Sequence, residues 1–255
     1  MAQIEELAKK QSKALTAYDI AAEQARIFPS LNEEQKEGAI LFETLSYTFS
    51  SGVIQVLARH LREVDPHTKL YIAKEIIDES GHFSRCAQVC RTLGITPRDF
   101  FPDVGLIYGR ESNWLRYMAG CAFTLEQTAA RVFGKFLRRG NRYFEPLAPF
   151  VAEDVDHFSH SIIQLQEALA AEDGVARENR TIIANAITES LEGYARPFFQ
   201  YLTDVMVMGA SIERREVQLE WRAALLELAG HCERLGLEIK IEACLDIVAS
   251  DEVEA

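Results

Sequence analysis

Six side chains have the types and spacing to hold metal: Glu43, Glu79 with His82, Glu126, and Asp154 with His157. Carboxylates are hard oxygen donors that can bridge two divalent cations, and imidazole nitrogens complete each coordination sphere. A carboxylate and a histidine three residues apart on a helix leave the same face, so both can reach one ion. Two such pairs and two lone glutamates form a ligand set for two neighbouring iron ions, Glu43, Glu79, His82, Glu126, Asp154 and His157 together.

These residues converge only if long elements carry them. Prolines fall at 29, 66, 97, 102, 146, 149 and 197, and the stretches between them repeat apolar residues at a helical period with little alternation. The chain therefore reads as all-α. The pattern predicts a leading helix at 3–27, then helices at 33–60, 67–93, 111–138, 144–171, 177–208 (kinked at Pro197) and 211–236. A single domain covers 1–255, with a metal-binding bundle at about 33–171, accessory helices at 3–27 and 177–236, and a frayed acidic tail, DEVEA.

In an antiparallel hairpin, residues at one depth lie equally far from the turn. The midpoint of Glu126 and Asp154 is Gly140, inside RRGNRYF, and that of Glu43 and Glu79 is Leu61, just before the Asp65-Pro66 break. Both midpoints fall at helix-end signals. The stretch LGITPRDFFPDVGLIYGRE at 93–111 is longer than the ~2–8 residues of a simple bundle turn. At roughly 3.3 Å per extended residue it can run the height of a bundle as a crossover.

Each proposed ligand shares a face with apolar residues: Glu43 with Ile40, Tyr47, Ile54 and Leu57, and Glu126 with Ala119, Ala122, Phe123, Ala129, Ala130 and Phe133. Burying so many ionisable groups costs several kcal/mol apiece unless each is compensated, and metal ions supply that compensation. The neighbouring set Glu153, Asp156, His160 and Gln164 lies on a more polar face and reads as solvated, with Glu153 and His160 held as reserve ligands. His60, His67 and His231 read as solvent-facing, and Trp114 and Trp221 as packing residues. Small residues Gly120, Ala122, Ala129 and Ala130 leave room near the metals, with Tyr47, Phe123, Phe133 and Phe158 as apolar walls.

Composition narrows the partners. With 27 basic against 39 acidic residues and a net charge of -12, nucleic acid and anionic membrane are poor partners. The opening MAQIEELAKKQSK has no apolar core of a leader, and no run of eighteen apolar residues occurs, so the reading is a cytoplasmic protein with no membrane partner. Five cysteines without CxxC spacing read as reduced thiols rather than disulfides or a zinc site. No GxGxxG fingerprint for a flavin or dinucleotide is present.

With these residues in place, the chain resembles the ferritin-like di-iron carboxylate superfamily over about 33–171. That resemblance implies a ferritin-like four-helix bundle. Glu43 and His82 would serve one iron, Asp154 and His157 the other, with Glu79 and Glu126 bridging. Asp154 stands where glutamate is usual, a shorter arm. Cys86 occupies the position of the radical tyrosine in many ribonucleotide reductases, and Ala130 that of the hydroxylase threonine, so neither branch matches fully. The implied activity is a di-iron oxidoreductase of the monooxygenase or oxidase type. It would use O2 as co-substrate to hydroxylate, desaturate, N-oxygenate or oxidatively cleave a small-molecule substrate. An external electron donor, ferredoxin or reductase, is implied, and a manganese–iron pair and a homodimer are compatible with it. The rival readings are rubrerythrin-like or ferritin-like iron oxidation, peroxide detoxification, and a non-catalytic partner subunit.

Overall fold

A computed structural model describes residues 16–62, 64–97, 113–137 and 142–239 of the chain. The expected helix over 3–15, most of the crossover, the turn at Gly140, Cys244 and the acidic tail lie outside the described residues. The described residues are helices and connections with no strand, so the protein is all-α.

Helix α1 covers residues 16–27 and runs into a 3-10 turn, Phe28–Ser30, begun by Pro29. Helix α2, Glu33–His60, starts at a reciprocal cap: Asn32 Oδ1 accepts from the Gln35 amide at 2.8 Å, and Gln35 Oε1 accepts from the Asn32 amide at 3.2 Å. Such a cap satisfies two of the donors that a helix start leaves open. Helix α3, Pro66–Leu93, opens on Asp65, whose side chain takes the His67 and Thr68 amides, with Pro66 where its missing N–H costs nothing. It stops at Gly94, whose φ of 69° suits glycine. Helices α2 and α3 form an antiparallel hairpin.

Helix α4 runs through Trp114–Tyr117, a π-helical stretch Met118–Glu126, and Gln127–Phe136. Helix α5 is Ala148–Leu169. Helix α6 combines Asp173–Glu189, a π-helical Ser190–Ala195, Arg196–Asp204 and a π-helical Val205–Gly209. Pro197 lies two residues past the first widened turn of α6. A proline in a helix lacks the N–H for its i−4 bond and its ring crowds that carbonyl, and the widened turn relieves both. Helix α7, Arg214–Arg234, lies over α4 and α6, tied to α4 by Arg131–Glu227 and Lys135–Glu220 ion pairs.

Packing runs from α2 to α3, α3 to α5, α5 to α4, α4 to α6, and the end of α6 back to α2. A helix expected to be an accessory thus closes the ring. The closing contact needs glycine at 38, while a side chain at 209 would crowd the Phe144 ring. A Cβ on Gly38 would lie 2.2 Å from the Gly209 backbone nitrogen, and one on Gly209 would lie 2.8 Å from the Phe144 ring. Farther along, Trp221 stacks on Phe199 at 4.3 Å and donates its indole N–H to Thr203 Oγ1 at 2.9 Å.

Among the described residues, one helix, Glu33–His60, is long and apolar enough by length and composition alone to cross a membrane. Its apolar residues Leu45, Val53, Val56 and Leu57 are buried against the rest of the fold, and it carries the fully buried Glu43.

Candidate metal centre

Glu79 and His82 leave the same face of α3, and Asp154 meets them from α5. One ligand atom from each lies within 4.8 Å of the other two. His82 Nδ1 is 3.3 Å from Glu79 Oε1 and 4.0 Å from Asp154 Oδ1, while its Nε2 is 3.3 Å from Glu153 Oε2. A carboxylate on the far nitrogen fixes the imidazole with Nδ1 toward the other two ligands. Glu153 is therefore turned toward His82 rather than fully solvated as its face suggested, its side chain only 21% exposed.

His157 is buried, and its Nε2 is held by Asp78 Oδ2 at 3.1 Å. Glu126 projects from the end of the π-helical stretch of α4, with the Cys121 thiol 3.5 Å from its Oε1. Widened turns of this kind occur often at functional sites, because the extra residue aims a side chain that a regular helix would direct elsewhere.

The electrostatics show how crowded this region is with acid. Burial raises the Glu126 carboxyl to about 8, with the charges of Glu79, Glu75 and Asp154 adding to it. Burial likewise lifts Glu75 to about 7 and Asp154 to about 6, each also pushed by Glu79. For His157, burial works against the charged ring, yet the Asp78 hydrogen bond and the nearby carboxylates carry it to about 9. His82 is held well above its ordinary range, since Glu79 and Glu153 outweigh burial. Glu79 Oε2 is buried with no hydrogen-bond partner. A buried carboxylate oxygen left open costs on the order of 1–3 kcal/mol, and a cation beside it would remove that cost.

Glu43 stands apart from this group. Both its oxygens are 2.7 Å from Arg85 Nη1, and Oε1 also accepts from Tyr143 Oη at 2.9 Å. The hairpin register explains its place. Glu43 pairs with Arg85, midpoint Val64, and Ser50 meets Glu79, midpoint between Val64 and Asp65. The turn therefore centres some three residues beyond Leu61, which slides Glu43 along α2 by about six residues, or roughly 9 Å at 1.5 Å per residue.

Glu75 and Asp78 went unnoticed in the sequence. Glu75 precedes Glu79 by four residues and His82 by seven, the same-face spacing of two helical turns, and that spacing was the available signal. Asp78 carried no such signal, because its partner comes from α5.

Other expectations also move. His60 is fully buried, its ring against Trp114 and Tyr117, because the last turn of α2 packs onto the start of α4 rather than facing water. His231 packs edge-on against Phe158 at 5.0 Å. His160 lies on Tyr71 at 4.6 Å, outside the group around His82. Cys86, Cys90, Cys121 and Cys232 are buried free thiols.

Beside the acidic cluster is a cavity of about 130 Å3. Glu79, His82, Glu126 and Asp154 line it, with Phe42, Phe49, Phe133, Phe150 and Leu45 among its apolar residues and Phe198 and Leu202 contributed by α6. Ala129 and Ala130 leave part of its space, whereas Gly120, Ala122, Phe123, Phe158 and Tyr47 lie elsewhere.

No protein-family model, curated protein or solved structure matches this chain.

Proposed function

We propose that this chain is a di-iron oxidoreductase that uses O2 to oxidise a small organic substrate by hydroxylation, desaturation, N-oxygenation or oxidative C–C cleavage. One observation carries the reading: buried Glu79 and His82, met by the half-buried Asp154, form a group with an unpartnered Glu79 oxygen that opens directly onto an apolar cavity. Glu79, His82 and Asp154 would hold metal, with Glu126, His157 and Glu75 completing six donors from three helices. This set keeps two histidines and four carboxylates, with Glu75 in the place that Glu43 gives up to Arg85. It retains the ligand chemistry of ferritin-like di-iron proteins, while α6 adds a fifth wall to the bundle.

When bound, the iron pair supplies the activation of O2 and the redox chemistry. The protein does the rest. Asp78 and Glu153 hold the two imidazoles by their outer nitrogens, which fixes their tautomers and raises their basicity. The phenylalanine wall excludes water and seats an apolar substrate against the carboxylates. Substrate oxidation of this kind draws electrons from outside, so a ferredoxin or reductase is the expected partner of a soluble cytoplasmic protein.

Anaerobic titration with ferrous iron, followed by desalting and elemental analysis, tests the centre. Two metals per chain are expected, falling below one in Glu79→Ala and in Glu126→Ala while far-ultraviolet dichroism is unchanged. Full metal content in both variants, or none in the parent, would overturn the assignment. Light scattering separates the storage alternative, because a cage would appear as a large assembly and an oxygenase as a monomer or dimer.

A further inference from the structure

Arg85 follows His82 by one helical turn on α3 and is 2% exposed, yet it lines the cavity. Its guanidinium is used on one side only. Nη1 gives hydrogen bonds to both oxygens of Glu43 at 2.7 Å and to Gln24 Oε1 at 2.9 Å. Nε is buried with no partner, and among the described residues Nη2 makes no hydrogen bond. Burial works against the charge, but Glu43 outweighs it and the group stays a cation.

A buried guanidinium that leaves its Nε donor open forgoes a charge-assisted hydrogen bond worth roughly twice a neutral one. The group is also held in place. Tyr143 and Gln24 fix Glu43, Glu43 fixes Nη1, and the Phe42 ring lies 5.5 Å from the guanidinium carbon. The open edge, Nε with Nη2, is a planar two-donor fork, the shape that a carboxylate accepts with both oxygens. The rest of the cavity beyond the metal-facing carboxylates is largely apolar.

Resting on the di-iron reading for what happens at the metals, we propose that the substrate is an aliphatic carboxylic acid whose carboxylate docks on the open edge of Arg85. The acid group is then held on α3 one turn from His82 rather than on the metals, and the chain extends along the phenylalanine wall. Arg85 is a binding residue that sets specificity.

Calorimetric titration of metal-free protein with octanoate and 1-octanol at pH 7 tests this, with Arg85→Lys isolating the guanidinium fork from the His82 and His157 cations, which parent and variant share. Octanoate should bind at least tenfold tighter than 1-octanol. Arg85→Lys keeps a cation facing Glu43 but lacks the fork, and should reduce the preference below threefold with 1-octanol affinity unchanged. Should Arg85→Lys fail to fold by dichroism, Glu43→Gln decides. It frees Arg85 from a competing anion, so octanoate should tighten severalfold, and unchanged or weaker binding would overturn the proposal. So would equal affinities in the parent, a preference that survives Arg85→Lys, or octanoate binding undiminished in Ala130→Trp, which fills the cavity. A separate zinc titration of the same samples reports on the metal centre, so failure of one reading does not masquerade as failure of the other.

Discussion

Replacing Glu126 with glutamine should leave parent and variant nearly alike at acidic pH and make the variant the more stable at alkaline pH. In the metal-free protein the Glu126 carboxyl has its affinity for a proton raised from 4.5 to about 8. A group raised in the folded state contributes stability that is fully present below its unfolded pKa and is lost as pH rises through the folded one. The parent should therefore weaken between about pH 5 and pH 9 through this group. A rise from 4.5 to about 8 corresponds to at most ~5 kcal/mol, at about 1.36 kcal/mol for each tenfold gain in proton affinity. Glu126 keeps some contact with the cavity, which screens its charge and brings the expected figure to ~2–4 kcal/mol. At roughly 2–4 °C per kcal/mol for a chain of this size, metal-free Glu126→Gln should melt about 5–15 °C above the parent at pH 9. At pH 5 the two should differ by no more than ~1 kcal/mol, because both side chains are then neutral. The assay is thermal unfolding by dichroism in chelator at pH 5, 6, 7, 8 and 9, repeated with zinc. Zinc should stabilise the parent at pH 8 and much less the variant. Melting curves that stay parallel across the pH range would show that Glu126 is not a buried acid facing other carboxylates, and the electrostatic argument for a cation there would go with it.

Metal uptake should release protons, because Glu126, Glu75 and His157 hold theirs at about 8, 7 and 9 in the metal-free fold. With the proton that His82 also holds, about three protons per chain should appear on adding zinc at pH 7 with an indicator dye, affinity should strengthen from pH 6 to pH 9, and a release below one would contradict this. Glu153→Gln should weaken metal binding by roughly 10–100-fold with little change in melting temperature, measured by competition with a chelating dye. Gly38→Ala should cost about 3 kcal/mol in urea unfolding, the upper end for overpacking, since its methyl has only the Gly209 backbone to enter; a cost under ~1 kcal/mol would mean that α2 and α6 are not in that contact.

The long helices were legible because their signals are local. Asn32 with Gln35, Asp65 with Pro66, and Gly94 are start and stop devices that need no tertiary knowledge. Depth along the hairpin was harder to read, since the midpoint rule doubles every error. A turn displaced by about three residues places Arg85 opposite Glu43 and leaves Ser50 beside Glu79. Apolar faces could not resolve it, because a glutamate buried for an arginine and one buried for a cation sit on equally apolar stripes. Glu153 shows the opposite problem: its helix face is polar, and only the approach of His82 from α3 draws it inward. The role of α6 was hidden because Phe198 and Leu202 look like ordinary core residues until the ring closes on the cavity. The widened turns of α4 and α6 have no signature apart from Pro197.

The touching backbones of Gly38 and Gly209 fix the position of α6 against α2. Along α6, Leu202 and Phe198 lie some seven and eleven residues before that contact, roughly 10–17 Å away at 1.5 Å per residue. A change that forced the two backbones apart would shift those two cavity-lining side chains with α6. Bulk added at Gly38, which lies outside the cavity lining, would therefore be expected to alter the room for a guest before it altered any group that handles one.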